Sequence, residues 1–199
     1  MDSRAVRAKP LPRAFYRRDS RVVAAELLNK VLLADDGRSG RIVETEAYCG
    51  SLDPAAHAYR GKTKRNATMF GRPGLMYVYF SYGMHWCCNA VCGEVDEGIA
   101  VLLRALAPLS GLEAMRAARP KARRDRDLCS GPARLTQALG ITGVHDGIDL
   151  VTGGGGFRIV DDGTPSPSNP VVGTRVGISR AVDEPWRWYV AGDPNVSKR

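Results

Sequence analysis

Glu44, Glu46 and Tyr48 share one parity in the stretch VETEAY, alternating with Val43, Thr45 and Ala47. On a β-strand, side chains point to opposite faces with a period of two, so both carboxylates and the phenol fall on one face. A solvated strand face would also carry such residues, but the set suits general-base chemistry beside an aromatic wall. Arg104 is embedded in the apolar run VLLRAL. A guanidinium there is costly unless a carboxylate pairs with it, and either Glu44 or Glu46 would serve. A carboxylate held by an arginine stays ionised and can take a proton from water. His57 follows in a basic loop, and Tyr77, Tyr79 and Tyr82 lead to a predicted hairpin tip at Tyr82-Gly83. Aromatic faces can sandwich a flat base, more strongly if it is cationic. Basic loops can hold phosphates, and a tip tyrosine could wedge into a duplex from which a nucleotide has been removed. These parts suit an enzyme that flips a nucleotide and hydrolyses at it. The charge and aromatics also suit a non-catalytic nucleic-acid-binding module, or an enzyme acting on RNA or free nucleosides.

The elements that position these residues can be read along the chain. Residues 1–12 read as a loose basic arm, and a single domain is expected over 13–199. Asp19 or Ser20 caps a helix running through VVAAELLNK. KVLLA and GRIVETEAY flank the turn DDGRSG and predict a hairpin. Residues 50–75 form a long polar loop, and long loops in compact domains are usually functional. LMYVYF and HWCCNAVC form a second hairpin, and GIAVLLRAL, residues 98–106, a buried strand. Ser110 with Glu113 has the pattern of a capping box opening the helix SGLEAMRAAR. Ser130 and Pro132 open another, which stops at Gly140. IDLV, FRIV, TRVGIS and RWYVAG read as short strands. TGGGGF lacks the Lys-Ser/Thr of a phosphate loop and reads as a surface turn. Hairpins with separated helices predict an α+β fold with an antiparallel sheet.

The chain has 199 residues and a formal net charge of +8. Its basic residues cluster in residues 1–20, in RGKTKRNATMFGR with no acid at all, and between Arg116 and Arg126. Such clusters draw polyanions through counterion release. The five cysteines lack a C-x-x-C pair, which argues for a reducing compartment. His85, Cys87, Cys88 and Cys92 lack zinc-ligand spacing, because Cys87 and Cys88 would point to opposite strand faces. No metal is expected. No apolar run approaches the ~20 residues of a membrane span, and the N-terminus has no signal-peptide core. Cytoplasmic residence without membrane association is the expectation.

The runs RIVETEAY, DPAAHAYRG, MFGRPG, YVYFSYGMHWCCN, VLLRALAPLSGLEAMR and LCSGPARLTQALGI, in that order, resemble the alkyladenine (3-methyladenine) DNA glycosylase family. This is the monofunctional type that is not helix-hairpin-helix. The resemblance runs from about residue 12 to Ser197. It implies a single α+β domain with a curved antiparallel sheet, surrounding helices and a protruding β-hairpin, without metal or organic cofactor. It implies that Glu46 is the general base for the attacking water, with Arg104 and the carbonyl near Val196 helping to hold that water. Tyr48, His57 and Tyr79 would stack around the flipped base, and Asn89 would disfavour the guanine 2-amino group. Tyr82 would fill the gap in the duplex, with Gly83 and Met84 beside it at the hairpin tip and Met69 and Arg65 as further DNA contacts. His85 and Trp86 depart from the Tyr/Phe-like pair of mammalian members. The implied substrates are 3-methyladenine and 7-methylguanine in double-stranded DNA, with hypoxanthine and ethenoadenine as candidates. The product would be an abasic site, the first step of base excision repair. No lysine resembles a Schiff-base nucleophile, so no strand cleavage is expected. The implied state is a monomer without an obligate protein partner, held at the nucleoid through DNA.

Overall fold

The computed structural model describes residues 8–197. Among them the strands are β1 (Lys9–Pro10), β2 (Val31–Ala34), β3 (Ser39–Cys49), β4 (Met76–Ser81), β5 (His85–Cys92), β6 (Ile99–Ser110), β7 (Phe157–Asp161), β8 (Val171–Gly173) and β9 (Arg187–Tyr189). The helices are α1 (Arg13–Tyr16), α2 (Ser20–Leu27), α3 (Leu112–Ala118) and α4 (Pro132–Leu139). All strand pairs are antiparallel, in the order β1-β7-β2-β3-β6-β5-β4, and the sheet curls into a half-barrel. β9 joins β3 beyond the end of β2 and carries β8 on its other side. This is the expected single α+β domain.

Period-two alternation divides the sheet into two faces. Thr45 and Ala47, Val101 and Leu103, Met76 and Val78, and Cys88 and Ala90 turn toward the helices. The apolar residues among them join Leu27, Met115 and Leu135 in the main core, and the Thr45 hydroxyl donates to the Ala24 carbonyl of α2 at 2.8 Å. The opposite parity puts Glu44, Glu46, Tyr48, Arg104, Tyr77, Tyr79, Cys87 and Asn89 on the other face. Burial of Cys87 and Cys88 on opposite faces follows from the same alternation. Two irregularities sharpen it. Ile42 pairs with Leu106 and Glu44 with Ala105, which leaves Val43 unpaired. Thr45 then pairs with Leu103, which leaves Arg104 as the extra residue on β6. Bulges re-aim side chains, commonly beside active sites, and this one turns Arg104 toward the two glutamates.

Several expectations need correction. The basic stretch 1–12 is no loose arm from Lys9 onward: Lys9 and Pro10 pair with β7, and Leu11 is buried. Residues 1–7 lie outside the described residues. β6 runs on to Ser110, whose hydroxyl is engaged with Ser39 Oγ at 2.7 Å and the Gly37 carbonyl at 2.6 Å, so it caps no helix. Gly111, with φ of 71°, starts α3 instead. IDLV forms no strand and contributes only two isolated bridges at Asp149, to Leu75 and to Gly154, and TRVGIS is an irregular segment. Asp19 caps α2 through Arg21 N–H at 2.8 Å, as read, and Gly140, with φ of 71°, ends α4.

Candidate active site

The face opposite the helices is covered by three pieces of chain: the basic loop 50–75, the β4–β5 hairpin tip and the segment 174–180. They enclose a cavity of about 750 Å³. Tyr48, His57, Met69, Tyr77, Tyr79 and Asn89 line its walls, and Arg104 reaches it from the sheet.

Glu44 and Glu46 are both fully buried, but their surroundings differ. Glu44 Oε1 accepts from Arg104 Nε at 2.9 Å and Arg187 Nε at 2.7 Å, and Oε2 accepts from the Ser197 N–H at 2.7 Å. Burial works against its charge, but Arg104, the Ser197 N–H and Arg187 prevail and hold its pKa below the ordinary value. Glu46 Oε1 lies 3.1 Å from Arg104 Nη1 and accepts the Val176 N–H at 2.7 Å; Oε2 accepts from the Tyr48 hydroxyl at 3.0 Å. Here burial dominates over Arg104 and the Val176 N–H, and the pKa is raised. One arginine therefore serves both carboxylates. Glu44 is an anchored anion, and Glu46 has the stronger basicity. A raised carboxylate pKa moves toward the range where general bases work best.

The aromatic wall is built by period two and one histidine. Tyr77 and Tyr79 are stacked, 5.5 Å between centroids with planes at 26°. His57 meets Tyr79 edge-on at 4.4 Å, and its Nδ1 is 3.1 Å from the Tyr77 hydroxyl. Burial, with Arg65 nearby, lowers the His57 pKa, so the imidazole is neutral at neutral pH. Burial pushes the Tyr77 phenol up to about 12 and also raises those of Tyr48 and Tyr79. Asn89 Nδ2 donates to the Tyr77 carbonyl at 3.2 Å. Asn66 shapes the basic loop from within, donating to the carbonyls of His57 and Gly61 and accepting from Thr63 N–H.

The hairpin tip projects from this wall. Tyr82 (φ 50°) and Gly83 (φ 64°) are both left-handed, and Met84 N–H closes the turn on the Ser81 carbonyl at 3.0 Å. Two successive positive φ values define the hairpin-compatible type I′ geometry. They leave Tyr82 and Met84 79% and 73% exposed. The Tyr82 hydroxyl donates across the cavity mouth to the Gly177 carbonyl at 3.3 Å. Arg65 Nη2 bonds the Phe80 carbonyl at 3.1 Å, tying the basic loop to this hairpin.

The structure thus brings together Glu46, Arg104, Tyr48, His57, Tyr79, Asn89, Met69, Arg65 and Tyr82 around one space, with Gly83 and Met84 at its edge. The Val196 side chain packs with Val43 and Ala105, the next residue's N–H, that of Ser197, reaches Glu44 Oε2, and the main-chain N–H on Glu46 comes from Val176. Met69 lines the cavity from within: it is 3% exposed and belongs to the cluster of Ala58, Phe70 and Tyr77. Sequence reasoning missed Arg187, Arg175, Asp53 and Val176. Arg187 in RWYV had a usable signal, a basic residue opening a short apolar strand; Arg175 and Val176 in a glycine-punctuated segment had none. Among the described residues no group of histidine, cysteine or carboxylate side chains could hold a metal ion.

The cavity thus has a buried, arginine-held carboxylate behind it, aromatic side chains on its walls and arginines at its rim. The sequence pattern of methylpurine-DNA glycosylases matches residues 14–194, and the chain belongs to that family of DNA-acting hydrolases. A Burkholderia lata protein named "Putative 3-methyladenine DNA glycosylase" is 64% identical over 187 residues, covering 94% of this chain and 90% of its own. Proteins of the same name from Koribacter versatilis and Carboxydothermus hydrogenoformans are each 48% identical over 193 residues. The first match covers 94% of this chain and 93% of the relative, the second 95% and 99%.

Proposed function

We propose that this chain removes 3-methyladenine and 7-methylguanine from duplex DNA by flipping the nucleotide into the cavity and hydrolysing its N-glycosidic bond. The observation that carries this reading is the Glu46 carboxylate, buried and gripped by Arg104 at the back of the aromatic cavity. Arg104, the Val176 N–H and the Tyr48 hydroxyl occupy three of the roughly four acceptor positions of a carboxylate. One is left on Oε2 to take a water proton. Water oxygen then attacks C1′, the proton passes to Glu46, and the glycosidic electron pair leaves with the purine. The product is an abasic site. Glu46 and the field of the site also stabilise positive charge developing on the sugar.

The base enters between Tyr48 and the His57–Tyr79 wall, whose electron-rich faces favour a cationic alkylated purine. Such a base is already a good leaving group. Neutral lesions such as hypoxanthine need a proton donor, and the groups on this wall are poor acids: a neutral imidazole and phenols of raised pKa. We therefore place methylated purines ahead of hypoxanthine and ethenoadenine. Tyr82 takes the vacated stack, Asn89 opposes a guanine 2-amino group, and Arg65 meets the backbone. Among the described residues no lysine lines the cavity, which supports simple hydrolysis without strand cleavage. The chain works as a monomer without an obligate partner, and its five free cysteines support the reducing cytoplasm as its compartment.

The test is single-turnover release of base from duplexes carrying one N-methylpurine or one hypoxanthine. Fast release of the methylpurine with intact strands is expected, and slower release of hypoxanthine. Release of neither, with duplex binding kept, would return the non-catalytic binding module to first place.

A further inference from the structure

Arg175 lies just behind the site, shut off from the cavity. Its side chain and that of Asp53 have no exposed surface. Arg175 Nη2 donates to Asp53 Oδ1 at 2.8 Å, and Nη1 to Asp53 Oδ2 and to the Ala47 carbonyl. The guanidinium lies between two rings, 4.8 Å from the centroid of Tyr48 and 4.9 Å from that of Trp186. Asp53 also accepts from the main-chain N–H groups of Cys49 and Ala55. Stability alone accounts poorly for such a pair, because apolar residues of similar volume hold a core as well or better. Its effect is geometric. It pins together the end of β3, the start of the basic loop and the irregular segment 174–180. The next residue is Val176, whose N–H sits 2.7 Å from Glu46 Oε1.

We propose that Arg175, clamped on Asp53, is a positioning residue for hydrolysis: it sets the Val176 N–H on the Glu46 carboxylate and fixes the Tyr48 ring as the cavity wall. The proposal rests on Glu46 as the base. Arg175 touches neither the cavity nor Glu46, so it acts through Val176 and Tyr48. Charged and titratable groups face Glu46 from every side: Arg104 on β6, Glu44 and Tyr48 on β3, Cys87 on β5, Arg175 on its segment, and Arg187 paired opposite on β9. Loss of the Val176 N–H disfavours the ionised carboxylate. The acid limb of the pH–rate profile then moves to higher pH, whereas simple loss of folded protein lowers the rate evenly at all pH.

Arg175→Lys keeps the charge but loses the two-pronged grip; Asp53→Asn keeps the volume but loses the charge. Both are compared with the parent by single-turnover release of 3-methyladenine from mildly acid to mildly alkaline pH. Thermal unfolding and binding to a duplex with an abasic-site analogue are followed alongside, with Glu46→Gln as the control. Expected are folded variants with parental duplex affinity, a rate lower by roughly 10- to 100-fold, and an acid limb displaced upward. An unmoved limb, or an unchanged rate, overturns the proposal. If one variant does not fold, the other decides; if neither folds, the pair is structural and the proposal falls. Glu46→Gln with a parental rate would remove the base itself and both readings with it, whereas loss of its activity beside an unmoved limb in the Arg175 and Asp53 variants would sink only this one.

Discussion

At the back of the cavity Glu44, Glu46, Arg104 and Arg187 are buried together, each carboxylate held by at least one guanidinium within 3.1 Å. At the rim Arg60, Arg65 and Arg180 line the opening with no carboxylate in ion-pair reach among the described residues. Both regions use arginine, to opposite ends. Charges with buried partners fix geometry, and their loss leaves an uncompensated charge in the interior. Rim charges left without carboxylates in water are available to phosphates, and their loss weakens attraction while leaving the interior alone. On the proposed reading, the contrast separates residues that decide rate from residues that decide grip.

The largest effect is expected at Arg104, which touches both carboxylates. Arg104→Met should destabilise the fold by ~3–5 kcal/mol, because two buried anions lose a partner. In a domain of this size each kcal/mol lowers the melting temperature by about 2–4 °C, readable by calorimetry, and excision should be lost with it. A variant that melts like the parent would show that the back wall is not held as described. Glu44→Gln should come next, at ~3 kcal/mol, again by removing one partner of a buried pair. The sign of its pH dependence follows from a pKa depressed in the fold. The stabilisation is present above the ordinary glutamate value and disappears as pH falls through the folded value. Acid unfolding of the parent should therefore be steeper than that of Glu44→Gln; parallel curves would contradict the anchored anion.

At the rim the effects shrink. Tyr82→Ala should weaken retention of the flipped state by about tenfold, on the scale of ~1–3 kcal/mol for one stacked aromatic against a base. Fluorescence of ethenoadenine in a duplex reads this directly, and an unchanged signal would argue against the wedge. Smallest is Arg180→Ala. It should lower the salt dependence of duplex binding by about one unit of slope and leave the rate on saturated enzyme unchanged. A changed rate with unchanged slope would move Arg180 from the rim to the chemistry.

The back wall was partly legible in the sequence because burial makes charge conspicuous. An arginine inside VLLRAL must find a carboxylate, and the parity of VETEAY offered two. Which glutamate does what was not legible from parity: Glu44 and Glu46 share a face, and their roles differ through Arg187, Ser197 and Val176, which arrive from distant pieces of chain. TRVGIS alternates like a strand, yet Arg175 is drawn inward by Asp53 and by the rings of Tyr48 and Trp186, and the segment's main chain joins no ladder: the Val176 N–H goes to Glu46 and the Gly177 carbonyl to the Tyr82 hydroxyl. Ser110 illustrates the converse error: its capping pattern with Glu113 is local, but a hydroxyl bond to Ser39 across the sheet takes the side chain away. The hairpin, the bulk of β6 and the helix starting at Pro132 depend on neighbours in sequence, which makes them legible there.

The central claim is that Glu46 is the base and Glu44 its fixed neighbour. The most direct test is the single-turnover rate of 3-methyladenine release by Glu46→Gln, set against the pH profile of the parent. The parent rate should fall with decreasing pH through a midpoint above the ordinary glutamate value of 4.5, since burial raises Glu46 and the base must be ionised to act. Glu46→Gln should still fold and bind the duplex, yet release base ~10²–10⁴-fold more slowly. A variant that excises at near-parental rate, with the acid limb still in place, would contradict the account and transfer the role of base to another group.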